Sequence, residues 1–382
     1  MPERPLIPIA GPWITDREVA AVAEAARGSW YGHAYDVITT FETDFARYVD
    51  RRHAIALPSC TAGIHLGLAA LGVGPGDEVV VPESTWIATS APASHLGATP
   101  RFVDVDPVTW CIDVDRCSDA ITPRTKAVVA VDLYGGMPAM DALVALCEEH
   151  GVALVEDAAE AVGSTFDGRR AGGFGTASVF SFHGTKTLTT HEGGMVLTDD
   201  DELVDRMLLL RDQGRAPGAG GDFWNLELGY KYRMSAMQAA MGVVQLERVE
   251  ELVGRKRDLF GWYRDRLGEV EGLTLNAEPD RVQNSYWMTT VVLDESFGLT
   301  KDDVIAGLRA SHVVARPFFH PLSSLPAYAG FPGTDDAARR RPVSYRLGRF
   351  GVNLPSALNL TEDDVDRVCA AVLDVLGRSE RP

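Results

Sequence analysis

A lysine in a turn rich in small and hydroxylated residues is the first feature with chemical consequence. Lys186 sits in His183-Gly184-Thr185-Lys186-Thr187-Leu188-Thr189-Thr190-His191-Glu192-Gly193-Gly194, between two apolar runs that read as strands, Ser178–Phe182 and Gly194–Thr198. Most lysines are solvated surface charges. Here partial burial would depress the amine's pKa toward nucleophilic use, with the hydroxyls of Ser181, Thr185 and Thr187 close in sequence. Two further strand ends carry candidates. After Val152–Glu156 comes Asp157-Ala158-Ala159-Glu160, and alternation along a strand sends Glu156 and Asp157 to opposite faces. One carboxylate therefore reaches the ligand side, where it could keep a pyridine nitrogen protonated, or it simply caps the following helix. Pro58-Ser59-Cys60-Thr61-Ala62-Gly63 opens a helix with small residues, which let backbone N–H groups approach a phosphate; plain capping is the alternative. His183 reads as a packed or hydrogen-bonded histidine.

The elements that must position these residues read as an α/β protein. Strands are expected at 78–82, 100–105, 127–133, 152–156, 178–182 and 194–198, with helices at 61–71, 140–150 and 201–211 between several of them. Buried apolar strands separated by helices indicate a mostly parallel sheet flanked by helices, with the ligand beyond the carboxyl ends of the strands. A single long helix is expected from Ser235 to about Arg264, linking to a smaller α+β unit. That unit holds a strand-like run over 284–293 and helices at 301–311 and 361–376. The Gly-rich segment 215–222 reads as a flexible loop. Residues 1–245 would form the large domain, N-terminal segment included, and 246–382 the small one.

Composition narrows the partners. The chain has 36 basic and 54 acidic residues, a formal charge of −18, which repels nucleic acid and anionic membrane surfaces. Five scattered cysteines with no CxxC suggest neither a disulfide framework nor a zinc cage, and fit a reducing cytoplasm. No apolar run reaches the ~20 residues that span a bilayer.

Taken in order, the segments LPSCTAGIHLGLAALGVGPGDEVVVP, STWIATSA, VDLYGG, VEDAAEAVGS, VFSFHGTKTLTTHEGGMV and GYKYRMSAMQAA resemble the sugar aminotransferases of the DegT/StrS type. These are a branch of the fold-type-I pyridoxal-phosphate enzymes, and the likeness runs over nearly the whole chain. It implies a seven-stranded sheet in the large domain and a small C-terminal α+β domain. It implies pyridoxal 5'-phosphate bound to Lys186 as an internal aldimine, with pyridoxamine phosphate as the second form. Asp157 would pair with the ring nitrogen and Trp86 would stack on the ring. The backbone at Thr61 and Ala62, with the Ser181 hydroxyl, would hold the phosphate.

There are departures from the family pattern. Glu160 stands where many members have Gln or His beside the phenolic oxygen. Lys231 replaces an Asn that reaches across a dimer to the neighbouring phosphate. Cys60 and His191 occupy positions where Gly is common. The family's homodimeric habit would place Lys231 and Arg233 in trans. Relatives that dehydrate sugars have His at the Lys186 position, so Lys186 points to transamination. L-glutamate would be the donor and a keto sugar the acceptor, most similar to the nucleotide-linked 4-keto-6-deoxyhexoses of perosamine synthases. Arg316, Phe318 and His320 would lie near that sugar or its nucleotide. The alternatives are a 3-keto nucleotide sugar or a cyclitol ketone. A catalytically silent binding or regulatory homologue would lack the lysine or the aspartate, and both are present.

Overall fold

In the computed structural model, residues 5–215 and 223–377 are described. Seven strands form the principal sheet: β1 (His53–Leu57), β2 (Glu78–Pro82), β3 (Thr99–Val103), β4 (Thr125–Val131), β5 (Ala153–Asp157), β6 (Ala177–Ser181) and β7 (Gly194–Thr198). Their order across the sheet is β1-β7-β6-β5-β4-β2-β3, and every neighbour is parallel except β7, which runs antiparallel to both β1 and β6. The expected seven-stranded, mostly parallel sheet is therefore present.

The strand sequences explain the layering. EVVVP in β2 is buried at every position, as a strand covered on both faces requires. Successive side chains point to opposite faces. Val80, Val128 and Ala130 join one core with Phe41, Phe45, Phe180 and Phe182. Val79, Val81, Ala127 and Val129 join another with Ile64, Leu66 and Leu68 of the helix Cys60–Ala70. A third core fills the C-terminal part, under an antiparallel sheet of Leu273–Leu275, Thr290–Leu293, Gly351–Asn353 and Arg316–Pro317. Ile7 and Ile9 are buried in this third core, and Ile7 bridges Val313.

Several expectations need correction. The helix foreseen from Ser235 to Arg264 is two helices, Ala236–Glu247 and Val249–Leu267, broken at Arg248 (φ −104°, ψ 7°). The Arg248 guanidinium is held by buried Glu18 at 2.7 Å, by the Trp13 carbonyl at 3.2 Å and by Glu251 at 3.0 Å. The run 284–293 is a strand only from Thr290. Before that, the Asn284 side-chain oxygen accepts the Tyr286 N–H at 2.7 Å and Tyr286 takes φ +51°, a local turn that competes with a ladder. β1 was not foreseen: its five residues follow two arginines and become a strand by pairing along all of β7. The Gly-rich segment 215–222 lies outside the described residues except for Arg215. No helix among the described residues is long and apolar enough to cross a membrane.

Candidate active site

Four strand ends converge at one edge of the principal sheet. Parallel β1, β5 and β6 finish there at Leu57, Asp157 and Ser181, while antiparallel β7 starts there, its Gly194 paired with both Leu57 and Ser181. A side chain at Gly194 would begin 2.5 Å from the Cys60 nitrogen and the Ser59 carbonyl carbon. Only a glycine lets the start of the Cys60–Ala70 helix lie that close to the Lys186 turn. Ser59 caps this helix, its hydroxyl accepting the Ala62 N–H at 3.1 Å.

A cavity of about 510 Å³ opens at this edge. Nine of the eleven residues singled out from sequence line it: Thr61, Trp86, Asp157, Glu160, Ser181, Lys186, Arg316, Phe318 and His320. Ala62 does not, and its N–H is taken by Ser59. Lys231 does not either. Its ammonium lies 3.2 Å from Asp212, which Arg233 also engages at 3.0 Å.

The Lys186 ammonium is enclosed: 3.2 Å from the Glu160 carboxylate on one side, 3.6 Å from the Trp287 ring centroid on the other. Backbone hydrogen bonding fixes the turn, with the Lys186 N–H donating to the His183 carbonyl at 2.9 Å. The second Glu160 oxygen accepts the Tyr134 N–H at 2.9 Å. Tyr134 sits at φ +54°, an unusual value for a bulky residue, and that turn aims its amide at the carboxylate. Burial raises the Glu160 carboxyl above the usual range, and the Lys186 charge is the strongest opposing influence.

Asp157 is buried at the end of β5. One carboxylate oxygen accepts from the Thr89 hydroxyl at 2.8 Å, and the other accepts the Ala159 N–H at 3.2 Å. The Cys60 thiol stands 3.8 Å from that second oxygen. Burial pushes the Asp157 carboxyl up, while the hydrogen bonds from Thr89 and Ala159 and the charge of Lys186 pull it back. Burial also lifts the Cys60 thiol well above its ordinary range, which leaves it a packing residue rather than a nucleophile.

Trp86 is 60 % exposed, its ring 6.3 Å from that of Phe319. Phe318, expected at the substrate, is fully buried and packs edge-on against Tyr134 at 5.2 Å. The more open ring is Phe319, stacked on Tyr134 at 5.5 Å. His191 has φ +71°, so a glycine there would relieve its backbone.

Trp287 and Thr89 are the residues sequence reasoning missed. Trp287 reaches the site from the turn before Thr290, its indole N–H anchored on the Thr185 carbonyl at 2.7 Å. Only the three-dimensional approach of 284–290 to the Lys186 turn reveals it. Thr89 lies three residues after Trp86 in STWIATSA, a signal that was available.

A family model described as the DegT/DnrJ/EryC1/StrS aminotransferase family matches residues 12–373. This chain belongs to that family. It is 40% identical over 98% of its length to the GDP-perosamine synthase of Caulobacter vibrioides, covering 100% of that protein. It is 35% identical to the GDP-perosamine synthase of Vibrio cholerae, with 96% of this chain and 98% of that one covered. Among solved structures, Spr1654 of Streptococcus pneumoniae, described as a sugar aminotransferase, superposes in its PLP form with a TM-score of 0.90 at 28% identity. The match covers 98% of this chain and 99% of that one. The same protein has been solved in a PMP form, also at a TM-score of 0.90.

Proposed function

We propose that this member of the DegT/DnrJ/EryC1/StrS family moves an amino group from L-glutamate to a nucleotide-linked 4-keto-6-deoxyhexose, with the roles assigned below. The observation that carries the reading is the enclosed Lys186 amine, held between Glu160 and Trp287 over a cavity whose floor is the buried Asp157. The named relatives at 35–40% identity are GDP-perosamine synthases, which supports a 4-keto sugar as acceptor.

The family is dependent on pyridoxal phosphate, and the residues present suit that group. Asp157 offers a buried carboxylate for a ring nitrogen, Trp86 an open aromatic face, and Thr61 with Ser181 hydroxyls near a helix start for an anionic arm. When bound, pyridoxal phosphate supplies an electrophilic aldehyde and a ring that withdraws electrons from the adjacent carbon. Asp157 would hold a proton on the ring nitrogen, its carboxylate oriented by the Thr89 hydroxyl and the Ala159 N–H. Lys186 would be the residue that holds the cofactor's aldehyde carbon. The freed Lys186 Nζ would be the group that takes the proton from the donor's α-carbon and gives it back in the acceptor half-reaction, as general base and then general acid. Glu160 would orient the free amine and stabilise the positive charge the amine gains with a proton. Trp86, Phe319 and Trp287 give the cavity an aromatic wall.

The assembly we propose is a homodimer. Phe223, Trp224, Leu226 and Leu228 are 90 %, 59 %, 53 % and 96 % exposed within six residues. A cluster of exposed apolar side chains of this kind marks an interface. Lys231 and Arg233 follow directly, and in the dimer they serve the partner's phosphate site as point charge and fork. The five cysteines are all free and buried, which supports a cytoplasmic setting. The test is a panel of nucleotide-linked 4-keto sugars, 3-keto sugars and cyclitol ketones offered with L-glutamate. Turnover fastest on a 4-keto-6-deoxyhexose supports the reading, and preference for a 3-keto sugar or a cyclitol ketone overturns it.

A further inference from the structure

Lys256 is the most deeply buried lysine among the described residues, 1% exposed on the helix Val249–Leu267. Lysines are almost never buried so fully without a charged partner. Here the ammonium donates to two carbonyls instead, that of Trp287 at 3.0 Å and that of Ser356. Burial lowers it to about 7, with the Lys186 charge adding to the effect. An apolar side chain would fill the same space without the cost of burying a charge. What the lysine adds is a grip on the backbone of Trp287.

That grip matters because Trp287 lies in irregular chain, ahead of the strand that begins at Thr290. Its indole N–H donates to the Thr185 carbonyl at 2.7 Å, and its ring centroid lies 3.6 Å from the Lys186 Nζ. One side chain therefore clamps the turn at Thr185 and covers the amine of the next residue. Lys256 fastens the main chain from which that side chain extends.

We propose that Lys256 is a positioning residue for Lys186: by pinning the Trp287 carbonyl it places the indole that fixes where the freed amine rests. Lys256 does not line the catalytic cavity, so it reaches the amine through Trp287. The inference rests on the reading of Lys186 as the group that moves the proton.

The test is a double-variant cycle on the cofactor-loaded enzyme: Lys256→Met, Trp287→Leu and the two together. Lys256→Gln is added as a variant that keeps an N–H donor. Three quantities are read: kcat and KM for L-glutamate, the circular dichroism of the visible cofactor band, and the thermal midpoint. The dichroism reports the geometry at Lys186 without turnover. Each single variant, Lys256→Met and Trp287→Leu, should lower kcat about tenfold, the scale of one charge-assisted hydrogen bond. In Lys256→Met the KM should stay near the wild-type value and the dichroism should fall with kcat. Lys256→Gln should recover part of both, and the double variant should be no worse than Trp287→Leu alone. A lowered thermal midpoint with wild-type kcat and dichroism in Lys256→Met would mean a purely structural lysine and overturns the proposal. Additive losses in the double variant overturn it too. So does a Trp287→Leu enzyme with wild-type kcat and dichroism, whether or not the Lys256 variants fold. Lys186→Ala is measured beside them, and turnover in that variant would defeat the reading of Lys186 itself.

Discussion

Asp157 and Lys186 carry the account at the scale of single residues, and each was legible for a physical reason. Asp157 ends a buried strand and Lys186 lies in the turn that follows another, at the carboxyl ends a parallel sheet exposes to ligand, and both line the same cavity. Their supporting contacts were less visible. Glu160 reaches the Lys186 amine only because Tyr134, from another strand end, turns its amide onto the carboxylate. Trp287 arrives from the turn before Thr290, a segment distant in sequence. Lys231, expected near a phosphate, is bound to Asp212 within its own chain. Asp157→Ala removes a charge-assisted hydrogen bond worth about 1.5–3 kcal/mol. Turnover should fall roughly ten- to hundredfold, with the Glu160 and Lys186 contacts intact, as steady-state kinetics on the purified variant would show. Undiminished turnover would remove Asp157 from the mechanism.

Among the elements, the helix break at Arg248 shows where periodicity misleads. Residues 235–264 have helical spacing throughout, yet the chain bends where Arg248 must reach Glu18 on the first helix, Asp16–Gly28. Sequence periodicity reports which face is apolar and not which buried ion pair redirects the axis. The Glu18 carboxyl is pushed up by burial, but hydrogen bonds from Thr15, Gln245 and Arg248 outweigh this and hold it at about 2. A carboxyl whose folded pKa is depressed stabilises the fold above its unfolded pKa, 4.5, and loses that stability as pH falls toward 2. Thermal unfolding followed between pH 6 and pH 3 should show the midpoint falling steeply below pH 4.5. In Glu18→Gln that slope should flatten, with a loss of about 1.5–3 kcal/mol at neutral pH from the weakened charge-assisted hydrogen bond to Arg248, which Glu251 and the Trp13 carbonyl still hold. An unchanged slope would mean that Glu18 is not the titrating group. Gly194 makes the complementary point. Its value lies in the absent side chain that lets two backbones meet, which no local pattern announces.

For the whole molecule, the layered sheet was readable because β2, β4 and β6 bury almost every residue. β1 was not, since it depends on its partner β7. The exposed stretch 223–228 belongs to this scale as well. Leu228→Asp should convert a dimer to a monomer by analytical ultracentrifugation and reduce turnover more than tenfold, whereas a wild type that is monomeric and fully active would refute shared sites. The measurement closest to the central claim is the visible absorption spectrum of the purified protein before and after L-glutamate, beside the same experiment on Lys186→Ala. The wild type should be yellow and lose its visible band on addition of glutamate. The variant should lack the wild-type band and lose at least about 10²–10⁴-fold in turnover, the range of a missing general acid/base. A wild type with no cofactor band, or a Lys186→Ala variant that keeps the band and turns over, would contradict the account.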